Sequence, residues 1–155
     1  METNYYIECP IPSKQLVEGL AALTIDVVGH GASIGFMNPL SLDRAIGFWE
    51  KVMERVAQGN VVLLVAKESG SEKIIGTVQL IVDMPDNQPH RGDVAKMQVH
   101  HTARRQGVGE ALLKQVEIEA TKVGKTLLVL DTVTGSDGYR PVSYTHLTLP
   151  TNREV

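Results

Sequence analysis

Apolar positions recur along this chain at two different periods, and the switch between them divides it into elements. Asn4 to Ile11 reads as a short first strand, ended by Pro12. Ser13 is a suitable N-cap. After it Leu16, Leu20, Leu23 and Val27 recur every three to four residues, which predicts a helix to about Val28. Residues 29–40, GHGASIGFMNPL, hold three glycines and predict a loop. Ser41 caps a second helix, with Arg44 where a capping box would place an acid. Its apolar stripe is Leu42, Ala45, Ile46, Trp49, Val52, Met53 and Val56, and Gly59-Asn60 stops it. Trp49 and Phe48 read as core.

The period then changes. Val61 to Ala66 is a continuous, β-branched apolar run, the mark of a buried strand. Glu68 to Glu72 predicts a hairpin turn, Ile74 to Val82 a second strand, Met84 to Arg91 a polar loop, and Asp93 to Val99 a third strand. Helical period returns from Gly107 to Val123 through Val108, Leu112, Val116 and Ala120, and Gly124 ends it. Leu127 to Leu130 is a further buried strand leading into Asp131. This order predicts an α/β domain with a mixed sheet. From Pro141 to Val155 the pattern is lost. Thr145 to Leu149 alternates only briefly before Pro150, and no amphipathic helix follows the last strand to cover it.

A length of 155 residues fits one domain, large enough to bury a core. The net charge of −3 gives no broad positive field, which argues against nucleic acid or an anionic membrane as partner. No apolar run approaches the ~20 residues of a membrane span. Cys9 is the only cysteine, so no internal disulfide forms, and no base is identifiable beside it to make it a nucleophile. The N-terminus has no signal-peptide pattern. Together these predict a cytoplasmic protein.

The chemistry concentrates where the third strand of the meander turns into the third helix. Val94 to Leu113 ends a strand, passes Arg104 and Arg105, and opens a helix at Gly107 and Gly109. A helix N-terminus presents unpaired N–H groups and partial positive charge, and glycines let an anion approach the backbone. This is an anion site, or else a glycine-rich turn with solvated arginines. A Walker loop is absent, and Leu112 stands where a dinucleotide fingerprint needs its third glycine. A nucleotide-binding regulatory domain is therefore disfavoured. His100 and His101 are adjacent on an extended backbone, so their side chains should diverge, and no metal is expected.

Arg104-Arg-Gln-Gly107-Val-Gly109 matches the R/Q-x-x-G-x-G/A signature of GNAT acetyltransferases. It lies after a strand with Met97-Gln-Val99 and before a helix with Ala111-Leu-Leu113. The chain thus resembles that superfamily, whose fold is a mixed, mostly antiparallel sheet flanked by helices. The resemblance implies acetyl-CoA as co-substrate. Its pyrophosphate would lie on the backbone of Gln106, Gly107, Val108, Gly109 and Glu110, with Arg104 and Arg105 adding charge. Its pantetheine arm would pair with the backbone of Met97 and Val99 like an added strand. Taken alone, Glu110 reads as a dipole-favoured carboxylate in the first helical turn.

Residues 31–37, GASIGFM, with Leu128 to Asp131-Thr132 and Gly135-Ser136, resemble the branch containing tabtoxin-resistance acetyltransferases, over roughly residues 13–136. The resemblance implies transfer to an amine of a small molecule, with Phe36 and Met37 as a substrate wall or as packing. An amine must be neutral to attack, which asks for a base or a water chain to one. Asp93 and Asp131 are candidates to hold an ammonium or take its proton. Otherwise Asp93 is a loop-edge carboxylate and Asp131 caps a turn with Thr132. Self-association as a homodimer is left open.

The family's last segment, a helix and two strands that often carry a Tyr serving the departing thiolate, has no counterpart in the pattern here. That slot falls on Val142, with Tyr139 and Tyr144 nearby. The expectation is an acetyltransferase domain over 1–140 with its C-terminal helix and strands absent or replaced, and a non-native tail over 141–155. A non-catalytic acyl-CoA-binding module is the rival this leaves.

Overall fold

The computed structural model describes residues 4–31, 39–84, 87, 89–132 and 143–148. The order is β1 (Tyr5–Glu8), α1 (Lys14–Gly29), α2 (Leu42–Ala57), β2 (Val61–Glu68), β3 (Ile74–Ile81), β4 (Arg91–Val99), a 3-10 turn (His101–Ala103), α3 (Val108–Lys122), β5 (Leu127–Thr132) and β6 (Ser143–Thr148). Both expected serine caps form: Ser13 Oγ accepts from Leu16 N at 3.0 Å and Ser41 Oγ from Arg44 N at 3.2 Å. Each satisfies one of the orphan amides of its helix start.

The six strands form one sheet in the order β1-β2-β3-β4-β5-β6. All neighbours pair antiparallel except β4 and β5, which are parallel and joined through α3. Successive strand residues point to opposite faces, and the two cores follow that alternation. Leu63 and Val65 join the apolar faces of α1 and α2, with Trp49 fully buried among them. Leu64 and Ala66 join Val78, Leu80, Val94 and Leu128 against Val108, Leu112, Val116 and Ala120 of α3. The sheet is thus covered by two helices on one face and one on the other. No helix among the described residues is long and apolar enough to cross a membrane.

The sequence reading gave residues 143–148 no regular element, yet they pair with β5 over six residues, from Leu127↔Thr148 to Thr132↔Ser143. The alternation there is too short to announce a strand by itself. It becomes one because β5 offers it an open edge.

Candidate functional site

The parallel ladder between β4 and β5 is short. It runs from Arg91↔Leu127 to Val94↔Leu130 and stops. Beyond it β4 continues to Val99, still paired with β3, and β5 continues to Thr132, paired with β6. The strands therefore part, and among the described residues Met97 and Val99 have no ladder partner on the β5 side.

A bulge lies at the parting. Thr77 pairs with Gln98 and Gln79 with Ala95, so Lys96 and Met97 together face Val78. Lys96 takes the left-handed conformation, φ 56°. A bulge bends its strand and re-aims the side chains that follow. Here it brings Met97 and Val99 to the α3 face, where they pack against the core, and Gln98 to the opposite face.

Past Val99 the chain makes the 3-10 turn His101–Ala103, then runs through exposed Arg104, Arg105 and Gln106 into α3. Gln106 Nε2 donates to the Thr102 carbonyl at 3.3 Å. Among the described residues neither arginine forms a salt bridge. Gly107 is the N-cap of α3 at φ 82° and supplies no side-chain cap. Its carbonyl accepts the first helical bond, from Ala111 N, so the amides of Val108, Gly109 and Glu110 have no partner within the helix. A Cβ on Gly109 would lie 3.8 Å from Val99 Cγ2 and 4.0 Å from Met97 Sδ. The uncapped turn and the unladdered strand edge thus adjoin, a donor-lined cradle beside a free strand edge. Phosphates suit the first and an extended amide-bearing arm the second. Met97, Val99 and the segment 104–110, which the sequence named together, lie side by side in the fold.

Asp93 sits in the laddered part of β4, opposite Val129, six residues or about 20 Å along the strand from Val99. Its carboxylate receives two bonds from Arg91, Nε to Oδ1 at 2.8 Å and Nη2 to Oδ2 at 3.1 Å. Asp131 is one residue past the last β4–β5 rung, its backbone opposite Tyr144. Its side chain, Phe36, Met37 and the Val142 slot lie outside the described residues.

Two features on the α1–α2 face escaped the sequence. Trp49 Nε1 donates to Thr24 Oγ1 at 2.8 Å, and Thr24 Oγ1 donates to Gln98 Oε1 at 2.9 Å. Trp is a donor only; in this arrangement Thr24 accepts from it and donates its own proton to the Gln98 oxygen, which leaves the Gln98 amide nitrogen pointing elsewhere. That nitrogen and Gln79 Nε2 are buried and find no partner among the described residues. The available signal was Thr24, a polar residue inside the apolar stripe of α1.

The second feature corrects the expectation that His100 and His101 diverge. The extended backbone ends at Val99, and the 3-10 turn brings both rings to one side, 4.8 Å apart, around Asp26 of α1. Burial pushes the His100 pKa below its ordinary value. For Asp26 burial pushes upward, but the bonds from His101 and the nearby imidazoles outweigh it and lower the pKa. Both shifts act in one direction on stability. His100 is more readily charged unfolded than folded, so its contribution is present above about pH 6.5 and lost as pH falls through the folded value. Asp26 contributes above about pH 3.8 and loses this lower down. Melting temperature should therefore fall below about pH 6.5 in the native chain and fall less in His100→Gln. A melting profile insensitive to that substitution would contradict this.

The Acetyltransferase (GNAT) family matches residues 37–139. Solved structures share the fold at low identity. An N-acetyltransferase from Staphylococcus aureus superposes with a TM-score of 0.66 at 19% identity, over 88% of this chain and 78% of that one. A ribosomal-protein-alanine N-acetyltransferase from Brucella melitensis gives 0.66 at 20%, over 86% and 77%. A protein from Salmonella typhimurium, solved with its cofactor acetyl-CoA, gives 0.67 at 19%, over 97% of both chains. The family match spans two thirds of the sequence and contains the uncapped α3 turn and the β4–β5 parting, and on that ground this chain belongs to the GNAT acetyltransferase family.

Proposed function

We propose that this protein moves an acetyl group from acetyl-CoA directly to an amine of a small molecule. The observation that carries the reading is the uncapped start of α3 standing beside the free edge of β4. When bound, acetyl-CoA supplies an acetyl group activated as a thioester. The amides of Val108, Gly109 and Glu110, with Arg104 and Arg105, suit its phosphates. The backbone of Met97 and Val99 suits the amides of its arm. Asp93 and Asp131 stand on adjacent strands near the parting. Arg91 fixes the Asp93 carboxylate, whose remaining lone pairs can hold an ammonium or take its proton. Residues 1–140 are proposed as the domain proper, with 141–155 a non-native tail whose residues 143–148 nonetheless pair along the edge of β5; the family match stopping at residue 139 supports that boundary.

The test is thiol release from acetyl-CoA across a panel of amines. It is run on this chain and on one whose residues 141–155 are replaced by a family-like helix and two strands. No amine-dependent release from either would refute transfer. Coenzyme A binding without release from either would favour the acyl-CoA-binding module, the reading that Val142 in the Tyr slot supports.

Arg104→Ala is expected to weaken coenzyme A by about 1.5–3 kcal/mol, the worth of a hydrogen bond to a charged group. Pantetheine, which lacks the pyrophosphate, should lose less. Equal losses in calorimetry would show that Arg104 does not reach the phosphates.

A further inference from the structure

One carboxylate gathers the donors at the junction between α1 and the turn before α3. Asp26 Oδ2 accepts from His101 N at 2.9 Å, and Oδ1 lies 2.6 Å from His101 Nδ1 and 3.4 Å from both His100 Nε2 and His30 Nδ1. The partners settle where the protons are. His30 Nδ1 lies 2.8 Å from the Asp26 carbonyl, which can only accept, so that nitrogen carries hydrogen. His100 Nδ1 accepts from Thr102 N at 3.2 Å, which leaves its hydrogen on Nε2, facing Asp26. His101 Nδ1, so near a carboxylate, donates as well. The His30 ring stacks on that of His101, centroids 3.9 Å apart and 12° from parallel.

Asp26, His100 and His101 also have ligand atoms close enough to hold a metal ion, with all three within 4.8 Å. Yet metal binding would require His100 Nε2 and His101 Nδ1 to give up the protons they turn toward Asp26. The Thr102 amide already takes the lone pair on the other His100 nitrogen. The arrangement is that of a hydrogen-bonded hub.

The hub joins two segments with different tasks. His101–Ala103 leads directly into Arg104–Gly107, the approach to the cofactor cradle. Asp26 lies in the last turn of α1, and His30 caps it, a few residues before Phe36 and Met37 in the sequence. We infer that Asp26 is a positioning residue that couples the coenzyme A turn to the C-terminal end of α1, so that filling the first steadies the second. This rests on the coenzyme A reading proposed above. Lowering of the Asp26 pKa agrees with a carboxylate that keeps its charge to hold these donors.

Hydrogen exchange with and without coenzyme A tests the coupling. In the native chain the ligand should slow exchange at residues 101–110 and also at residues 28–31, which need touch no part of it. In Asp26→Asn coenzyme A should bind about tenfold more weakly, with pantetheine affinity unchanged. Saturating ligand should then protect only residues 101–110. A merely structural role would weaken both ligands alike and leave the protection pattern intact, and that result would overturn the inference. Should Asp26→Asn fail to fold, His101→Ala removes an exposed ring and one tie, and should break the coupling in the same way. No binding of coenzyme A by the native chain would overturn the cofactor reading and this inference with it. Binding with protection confined to 101–110 in the native chain would overturn the inference alone. Micromolar binding of Zn²⁺ to the native chain, lost in Asp26→Asn, would replace the hub with a metal site.

Discussion

Gly109→Val is expected to abolish measurable coenzyme A binding while leaving the fold intact. Gly109 is the second residue of α3 and has ordinary helical φ, so a side chain there meets no backbone strain. Its Cβ would touch Val99 and Met97 only at ordinary contact distance. In the helix, replacing glycine gains up to about 1 kcal/mol in propensity, less for a β-branched residue. The same Cβ, however, projects into the angle between the uncapped amides and the strand edge. Any anion seated there would be pushed off. Losing two charge-assisted bonds costs about 3 kcal/mol or more, which is a hundredfold or more in affinity. Gly107→Val behaves differently. Nothing lies within 4 Å of its Cβ position, but φ is 82°, a conformation that costs a β-branched residue about 1–3 kcal/mol. It should lose binding and stability together. Calorimetry with coenzyme A, beside thermal melts, separates the two. Retained affinity in a folded Gly109→Val would refute the cradle.

Much of the architecture was readable because local signals agreed. Ser13 and Ser41 each precede an apolar stripe of helical period, and α1 and α2 begin one residue after them. The continuous apolar run at Val61 announced a strand buried on both faces, and Leu63 and Leu64 do enter opposite cores. Arg104 to Gly109 could be singled out as a candidate anion site because such a site would be built from consecutive residues. Features that depend on partners far along the chain were not readable. The bulge at Lys96 and Met97 exists only relative to Val78, and nothing in the local pattern of β4 marks it. Asp26 and His101 are 75 residues apart, and their meeting depends on the turn after Val99. The adjacent histidines were expected to diverge because an extended backbone was carried one residue too far. The strand at 143–148 needed the edge of β5 to define it.

Gly76→Val should destabilise the protein and damage the cofactor site from behind. Gly76 lies on β3, opposite Val99 in register, where α3 crosses the sheet. A Cβ added there would lie 2.9 Å from Val108 Cγ1, 3.2 Å from Leu112 Cδ1 and 3.3 Å from the Gln98 carbonyl oxygen. The first contact is closer than real Cβ atoms come. The last is with backbone held in the β3–β4 ladder, which cannot rotate away. Val108 and Leu112 are both fully buried, so their side chains have no empty space to enter. The helix must therefore lift from the sheet. Overpacking of this kind costs about 1–3 kcal/mol, which lowers the melting temperature of a domain this size by about 2–4 °C per kcal/mol. Because Val108 is also the first residue of α3, the lift moves one of the cradle amides. Coenzyme A affinity should fall in parallel with stability, and Gly76→Ala should show a smaller version of both. Melting curves and calorimetry on the two variants check this. If Gly76→Val melts like the native chain, α3 is free to shift at little cost. The close seating of its N-terminus on β3 would then not be what holds the cradle in place.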